Sequence, residues 1–421
     1  MDHNKKTAAS KSDRHSPRCY AQLMFPKNES QADLLKVAER LADKFATSAA
    51  EHDREGSFPT ENFEEMKAAG YLAAAIPEEY GGSGHGLTDI VLAQLALAKG
   101  DGSTALSVGM HLMTTGTEAS SLSWPDEIRD RIFSDVVDNG ALVNNIAAEP
   151  EMGSPRSGGR PATILRPDQP GHWKLNGRKT FSTLSPILTY FITYCSIEDG
   201  DSDVGRVVVH RDRSGIAIEE TWNSIGMRAT GSHDVVFTEV PIEDNDIINR
   251  RSLDQNRDAM SVGGAWFPLL VAAANLGVSE AARDYAVSFV RERDPGGRGR
   301  LATIPYVREH IGKIDAQLIA ARNLLLTTAE DWEEQPEWRS QLEPHVATAK
   351  MLATNTAIEV VETAMRLVGG VALQRNLPLE RYFRDVRGGL VNPPIDARAL
   401  EQIAHAALDG AKPDSITPRI K

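Results

Sequence analysis

Two stretches of the chain carry residue types that suit a flat cofactor with a phosphate tail. The first reads Ala147-Ala148-Glu149-Pro150-Glu151-Met152-Gly153-Ser154. It follows a strand-like segment and ends in small residues, which let backbone N–H groups come close to a ligand. Gly-Ser pairs also occur as plain turns, so this stretch alone carries little. The second reads Trp173-Lys174-Leu175-Asn176-Gly177-Arg178-Lys179-Thr180-Phe181-Ser182-Thr183. Its Asn-Gly pair predicts a hairpin turn, after which a period of two puts Phe181 and Thr183 on one side of a strand. An aromatic ring and a hydroxyl on one face suit a heteroaromatic ring system.

These stretches need elements to position them. From Ser30 to Asn139 the pattern is helical, opening with Leu34, Ala38, Leu41 and Phe45 on one face and with Ser30 or Asp33 as the expected cap. A second helix is expected after Pro59-Thr60, burying Phe63 and Met66 and stopping at Gly70. Thr88 is expected to cap a third, and further helices are expected over Ala105 to Met113 and Asp126 to Val137. Near Leu142 the period changes. Short segments rich in branched and aromatic residues then alternate with turns: Leu142 to Ala147, Trp173 to Lys179, Tyr190 to Ile197, Val207 to His210, Ile216 to Glu219 and Val235 to Glu239. With no helical crossover between them, they predict a small antiparallel barrel or sandwich. From Asp258 the pattern is helical again, over Trp266 to Val290, Tyr306 to Trp332, Glu343 to Leu367 and Asp396 to Leu408, which predicts an antiparallel bundle. The division expected is an arm over 1–29, a helical domain over 30–140, a β-domain over 141–250 and a helical bundle over 251–421.

Composition narrows the partners. The chain has 421 residues and a formal charge of −13, whose field disfavours nucleic acid as a partner. Cys19 and Cys195 are too few for a disulfide framework and lack metal-ligand spacing, so no metal and a reducing cytoplasm are expected. Met1 to Arg18 lack the apolar core of a signal peptide. The longest apolar run, Gly263 to Val278, is short for a membrane span and holds Pro268 and Asn275, so it is expected to be a buried core helix.

Taken in order, Gly70-Tyr71-Leu72, Ile76-Pro77-Glu78-Glu79-Tyr80-Gly81-Gly82, Glu149-Pro150 to Ser154, Asn176-Gly177-Arg178-Lys179, Gly226-Met227-Arg228, Gly369-Gly370 and Arg384-Asp385 resemble the acyl-CoA dehydrogenase superfamily over most of residues 30 to 408. The resemblance implies a helical domain, a small β-domain and a four-helix domain. It also implies FAD, with FMN as the other option, and a homotetramer or homodimer. By position, Ala147, Ala148, Gly153 and Ser154 would line the flavin and its pyrophosphate, Phe181 would pack on the ring, and Thr183 would sit near its reactive N5. Arg293, Arg366, Gly369 and Gly370 stand where the family binds the rest of the cofactor. Ser154, Met227, Arg228, His111 and Phe267 stand near the substrate.

The departures bear on the reaction. Family desaturation removes an α-proton with a carboxylate while a hydride passes to N5, so a base must face the ring. The usual Glu, eight residues after the Asp of Arg-Asp, is here Pro393, which also lacks the N–H that would polarise a thioester carbonyl. The alternative helical position holds Phe267, followed by Pro268. Asp396 is the nearest replacement, and its other reading is a cap on the last helix. At the adenine end, Arg293-Asp294-Pro295-Gly296-Gly297 replaces the family's Arg-x-x-Phe-Gly, and Arg366 replaces a Gln. His111 reads either as a hydrogen-bonded core residue or as a proton handler beside flavin C4a.

Three functions follow. The first is oxidation of an acyl-CoA at its α,β bond with electrons passing to an electron-transfer flavoprotein. The second is a monooxygenase fed reduced flavin by a reductase. The third is a thioester-binding relative without activity. The sequence places the dehydrogenase first because Asp396 remains available as its base.

Overall fold

The computed structural model describes residues 26–151, 160–199, 202–255 and 264–409. Among the described residues six helices come first: α1 (Glu29–Phe45), α2 (Ala49–Glu55), α3 (Thr60–Ala68), α4 (Leu87–Gly100), α5 (Gly102–Ser121) and α6 (Asp126–Asn139). The expected face of α1 is buried, but its cap is Asn28, whose side chain accepts the Gln31 N–H at 2.8 Å; Ser30 and Asp33 lie inside the helix. Thr88 is not a cap either. The Glu333 carboxylate, far along the chain, takes the Leu87 and Thr88 N–H groups and the Thr88 hydroxyl, placing a negative charge on the positive end of α4. That contact ties the two helical regions together.

Among the described residues eight strands form one sheet: β1 (Val143–Ile146), β2 (Ile164–Gln169), β3 (His172–Lys179), β4 (Tyr190–Glu198), β5 (Ser202–His210), β6 (Ile216–Glu219), β7 (Asp234–Glu243) and β8 (Ile247–Ser252). The order is β6-β7-β3-β2-β4-β5-β8, with β1 beside β4. Most pairs are antiparallel as expected, but β4 runs parallel to both β1 and β2. The registers explain this. Val143 to Ile146 face Tyr190 to Thr193, and Ile164 and Leu165 face Ser196 and Ile197, so β1 and β2 are two ends of one interrupted strand.

Asn176 and Gly177 make no hairpin turn. They lie inside β3, where the register against β7 slips between Leu175 and Gly177 and Gly177 takes φ +147°. An Asn-Gly pair turns a chain only where a turn is free to form, and β3 is held on both sides, by β2 and β7. The real turn is Pro170-Gly171, with Gly171 at φ +78°.

The C-terminal region holds α7 (Trp266–Glu292), α8 (Pro305–Glu334), α9 (Arg339–Val368), α10 (Pro378–Asp385), α11 (Gly388–Val391) and α12 (Asp396–Leu408). The apolar run became α7, which packs on α9, α4 and α5 and is buried on every side from Leu269 to Ala282. Gly102 and Gly116 of α5 lie against Val278 and Trp266 of α7, where a Cβ would have no room. Among the described residues, no helix is long and apolar enough to cross a membrane, and no cluster of side chains could hold a metal ion.

Candidate functional site

The loop after β1 is fastened to the end of β3. Glu149 accepts the Ala162 and Thr163 N–H groups at 2.7 and 2.9 Å and the Lys179 ammonium at 2.7 Å. Burial alone would raise the Glu149 carboxyl, but Lys179 and Thr163 outweigh it and hold it below the ordinary range. Thr180 N–H donates to Ala148 O at 3.0 Å, so Ala147 and Ala148 run beside the approach to Phe181. Gly153 and Ser154 lie outside the described residues.

Phe181 and Thr183 do not share a strand face, because β3 ends at Lys179. The chain turns instead. Phe181 takes φ +51° and stands 64% exposed, edge-on to Trp222 with ring centroids 5.8 Å apart. A bulky residue in that backbone region is strained, and a large ring left in solvent lacks the burial that would repay it. Thr183 is drawn inward: Asn144 Nδ2 donates to its carbonyl at 2.9 Å, and its hydroxyl meets Ser232 Oγ at 2.9 Å. Ser232 Oγ meets Thr230 Oγ1 at 2.8 Å, and Thr230 Oγ1 donates to Met227 O at 3.0 Å. Between Phe181 and Thr183, the buried Ser182 hydroxyl has no partner among the described residues. The exposed Phe181 ring fits the face of a flat ligand.

The Gly226-Met227-Arg228 turn is docked onto the bundle. Gly226 lies so close to Arg384 O that a Cβ would strike it, and Met227 N–H donates to Asp385 Oδ1 at 2.6 Å. Arg384 grips Asp53 with two bonds of 2.9 and 2.6 Å, and Arg228 reaches the Asp53 carbonyl at 2.7 Å and Ser224 O at 3.0 Å. The Arg228 guanidinium is therefore a brace between sheet and α2. Met227 is buried, with its side chain against Gly102 and Gly388.

The expected base position fares no better for acid–base work. Pro393 precedes Pro394 in the segment between α11 and α12. Asp396 is the first residue of α12, and the cap position belongs to Ile395. Its Oδ2 accepts from Asn355 Nδ2 of α9 at 2.9 Å, and its charge supports the buried Lys350 ammonium, which burial pushes down to about 8. Lys350 Nζ donates to Gly389 O at 2.7 Å. Asp396 thus joins Asn355 and Lys350 in a polar cluster through Oδ2, while its buried Oδ1 has no partner among the described residues.

His111 is fully buried and both ring nitrogens are taken. Nε2 donates to Leu72 O at 2.9 Å, and Nδ1 accepts the Val143 N–H at 3.1 Å. Burial pushes it down to about 4, against the Nε2 bond to Leu72 O, and the Val143 N–H, which needs a bare Nδ1, favours the neutral ring as well. It is a core residue, without a nitrogen for a ligand or a flavin proton. Phe267 is half-buried at the start of α7, beside Trp266, which closes a cavity with Ala75, His85, Gly116 and Trp332. Arg293 ends α7 and lies over its own Phe289 at 5.7 Å, while Arg366 is exposed. Gly369 and Gly370 are exposed, with open space where a Cβ would stand.

The sequence reading missed Asn144, Trp222, Thr230, Ser232, Lys350 and Asn355. A signal existed for two of them: Thr230 and Ser232 are hydroxyls two apart after the matched Gly226-Met227-Arg228 turn. Asn355 and Lys350 sit five apart in a helix whose partners follow much later, and nothing local marks them.

Residues 28–130, 145–240 and 266–391 match the acyl-CoA dehydrogenase N-terminal, middle and C-terminal domains. Over 388 residues the chain is 40% identical to "Putative acyl-CoA dehydrogenase YdbM" of Bacillus subtilis (strain 168), covering 92% of this chain and 99% of that one. It is 30% identical over 406 residues to L-evernosamine nitrososynthase of a Micromonospora strain, covering 92% and 93% of the two. The crystal structure of KijD3 with FMN and dTDP-3-amino-2,3,6-trideoxy-4-keto-3-methyl-D-glucose superimposes with a TM-score of 0.79 at 29% identity, covering 93% and 96%.

Proposed function

Because this chain belongs to the acyl-CoA dehydrogenase family, we propose that it is a flavin-dependent monooxygenase, oxygenating a nitrogen or sulfur of a small molecule, rather than an acyl thioester desaturase. One observation carries the choice. Desaturation needs a carboxylate facing the flavin, and that position is Pro393, while the nearest carboxylate in sequence, Asp396, holds Asn355 through Oδ2 and supports the Lys350 ammonium. The order of readings drawn from the sequence is therefore reversed, since Asp396 was the base on which the dehydrogenase depended. The nitrososynthase relative and the amino-sugar complex of KijD3 support an amine nitrogen as the target.

When bound, reduced flavin supplies two electrons that, with O2, place one oxygen atom on the substrate and release the other as water, leaving oxidised flavin. The chain's own residues hold and shield it. Phe181 would offer a face to the ring, Thr183 would stand at the N5 edge, and the Glu149–Lys179 pair would hold the Ala147-Ala148 backbone along it. Gly369 and Gly370, bare of side chains and open above, suit a phosphate tail reaching them from a neighbouring copy. Exposed Leu352, Leu373, Val391, Leu400 and Leu408 support the homo-oligomer this requires. Arg293 is held against Phe289, so the adenine end lacks the family's usual arrangement, which favours FMN over FAD. The partner is then a flavin reductase instead of an electron-transfer flavoprotein.

The test supplies FMN, a flavin reductase, NADH and O2 with a panel of nucleotide amino sugars and sulfur heteroarenes, and follows the oxygenated product by mass. Product dependent on both reductase and O2 is expected. Anaerobic bleaching of bound oxidised flavin by an acyl-CoA, without reductant, would overturn the proposal in favour of the dehydrogenase.

A further inference from the structure

Thr183 and the two hydroxyls behind it have one arrangement in which every contact holds a proton. Met227 O is a carbonyl and can only accept, and it receives Thr230 Oγ1 and Trp222 Nε1, both at 3.0 Å, and the Thr230 N–H at 3.3 Å. The single Thr230 hydroxyl proton is therefore spent on Met227 O. Thr230 Oγ1 must then accept in its 2.8 Å contact with Ser232 Oγ, which spends the Ser232 proton. Ser232 in turn must accept in its 2.9 Å contact with Thr183 Oγ1, which spends the Thr183 proton. No member can reverse without leaving a buried pair of oxygens facing each other with no proton between them. All three residues are buried, so water cannot easily repair such a fault.

The Thr183 hydroxyl is thus left with lone pairs only. We propose that Ser232 and Thr230 are positioning residues that fix Thr183 as a hydrogen-bond acceptor, selecting a cofactor edge that carries an N–H. This rests on the flavin reading above, in which Thr183 meets N5. Reduced flavin carries a hydrogen at N5 and oxidised flavin does not, so the relay favours the reduced form. That is the form a two-component monooxygenase must capture from its reductase. A desaturase, by contrast, begins from the oxidised form, whose bare N5 would want a donor.

The experiment measures affinity rather than turnover. Dissociation constants for oxidised FMN and for dithionite-reduced FMN are determined anaerobically on the assembled protein. Ser232→Ala frees the Thr183 proton to donate, so the ratio of the oxidised to the reduced constant is expected to fall about 3- to 10-fold, the worth of one hydrogen bond. Thr230→Val, nearly isosteric, frees the Ser232 proton and should lower the ratio in the same direction, which guards against a folding failure of the first variant. In a Thr183→Val background neither substitution should change the ratio. A ratio unmoved by both variants in folded protein, or a fall that persists without the Thr183 hydroxyl, overturns the inference while leaving the flavin reading standing. Binding of neither form by the unsubstituted protein overturns that reading and the inference with it.

Discussion

Asp385 takes the amide N–H of Met227 at 2.6 Å across 158 positions of chain, and this bond joins α10 to the turn on which the hydroxyl relay ends. The carboxyl is buried. Burial raises it to about 7, although Arg381 and the Met227 N–H both favour its charged form. A carboxylate ionises in the unfolded chain near pH 4, so between about pH 4 and 7 the folded state binds the extra proton. The Asp385 contribution to stability therefore falls as pH rises through that window.

Asp385→Asn keeps an oxygen for Met227 and removes the titration. Its melting temperature, followed from pH 4.5 to 7.5, should gain on the unsubstituted protein as pH rises, by an amount worth a few kcal/mol. A constant difference across the range would show that Asp385 does not titrate in the folded state.

His111 works in the opposite sense. Pushed down to about 4, it is neutral when folded, while the unfolded chain protonates below about pH 6.5. The unfolded state binds the extra proton there, so this contribution rises with pH between about 4 and 6.5. In the native protein the two slopes oppose one another and the acid limb is shallow. His111→Gln should expose the falling Asp385 slope, and Asp385→Asn the rising His111 slope. Parallel curves for the two variants would contradict the pairing.

The residues that make these bonds were visible in the sequence, but most of the bonds were not. Gly226-Met227-Arg228 and Arg384-Asp385 stood out as matched motifs, yet their meeting depends on α10 packing against the sheet, which no local pattern encodes. Helical faces were legible because burial repeats along them, as Leu34, Ala38, Leu41 and Phe45 show. Asn176-Gly177 misled because a local turn signal was overridden by two neighbouring strands. That error carried forward to Phe181 and Thr183, whose shared face was deduced from a strand that ends at Lys179. β2 and β8 were missed because their charged and polar residues hide the alternation: β2 contains Arg166, Asp168 and Gln169, and β8 contains Arg250 and Arg251.

Glu149 and Lys179 supply a test of the loop clamp. Both are nearly free of solvent, and their bond also holds two amides. Removing one charge leaves the other buried and unpaired, which costs about 3–5 kcal/mol. Lys179→Met should lower stability in denaturant unfolding by that order and weaken FMN binding, because Ala147 and Ala148 lose their anchor. The double variant Lys179→Met, Glu149→Gln should recover part of the stability. Normal stability in the single variant would mean that the pair carries no load.

Lys350 offers the alkaline counterpart. Its ammonium is buried under the segment between α11 and α12, donates to Gly389 O at 2.7 Å, and is pushed down to about 8 despite the Asp396 charge. An unfolded lysine keeps its proton to about pH 10.4, so between about pH 8 and 10.4 the unfolded state binds the extra proton and the Lys350 contribution to stability rises with pH. Below pH 8 the buried charge lowers stability, burial outweighing the Asp396 attraction. Lys350→Met removes the titration and the bond to Gly389 together. Its stability relative to the unsubstituted protein should therefore decline from pH 8 to 10, which urea unfolding at stepped pH would measure. Asp396→Asn should act in the other direction on the same group: with its counter-charge gone, Lys350 loses its proton at a lower pH and the rise in stability begins earlier. A Lys350→Met difference that does not vary with pH would place the lysine's ordinary titration back in solvent and remove the cluster as the anchor of the Pro393 segment.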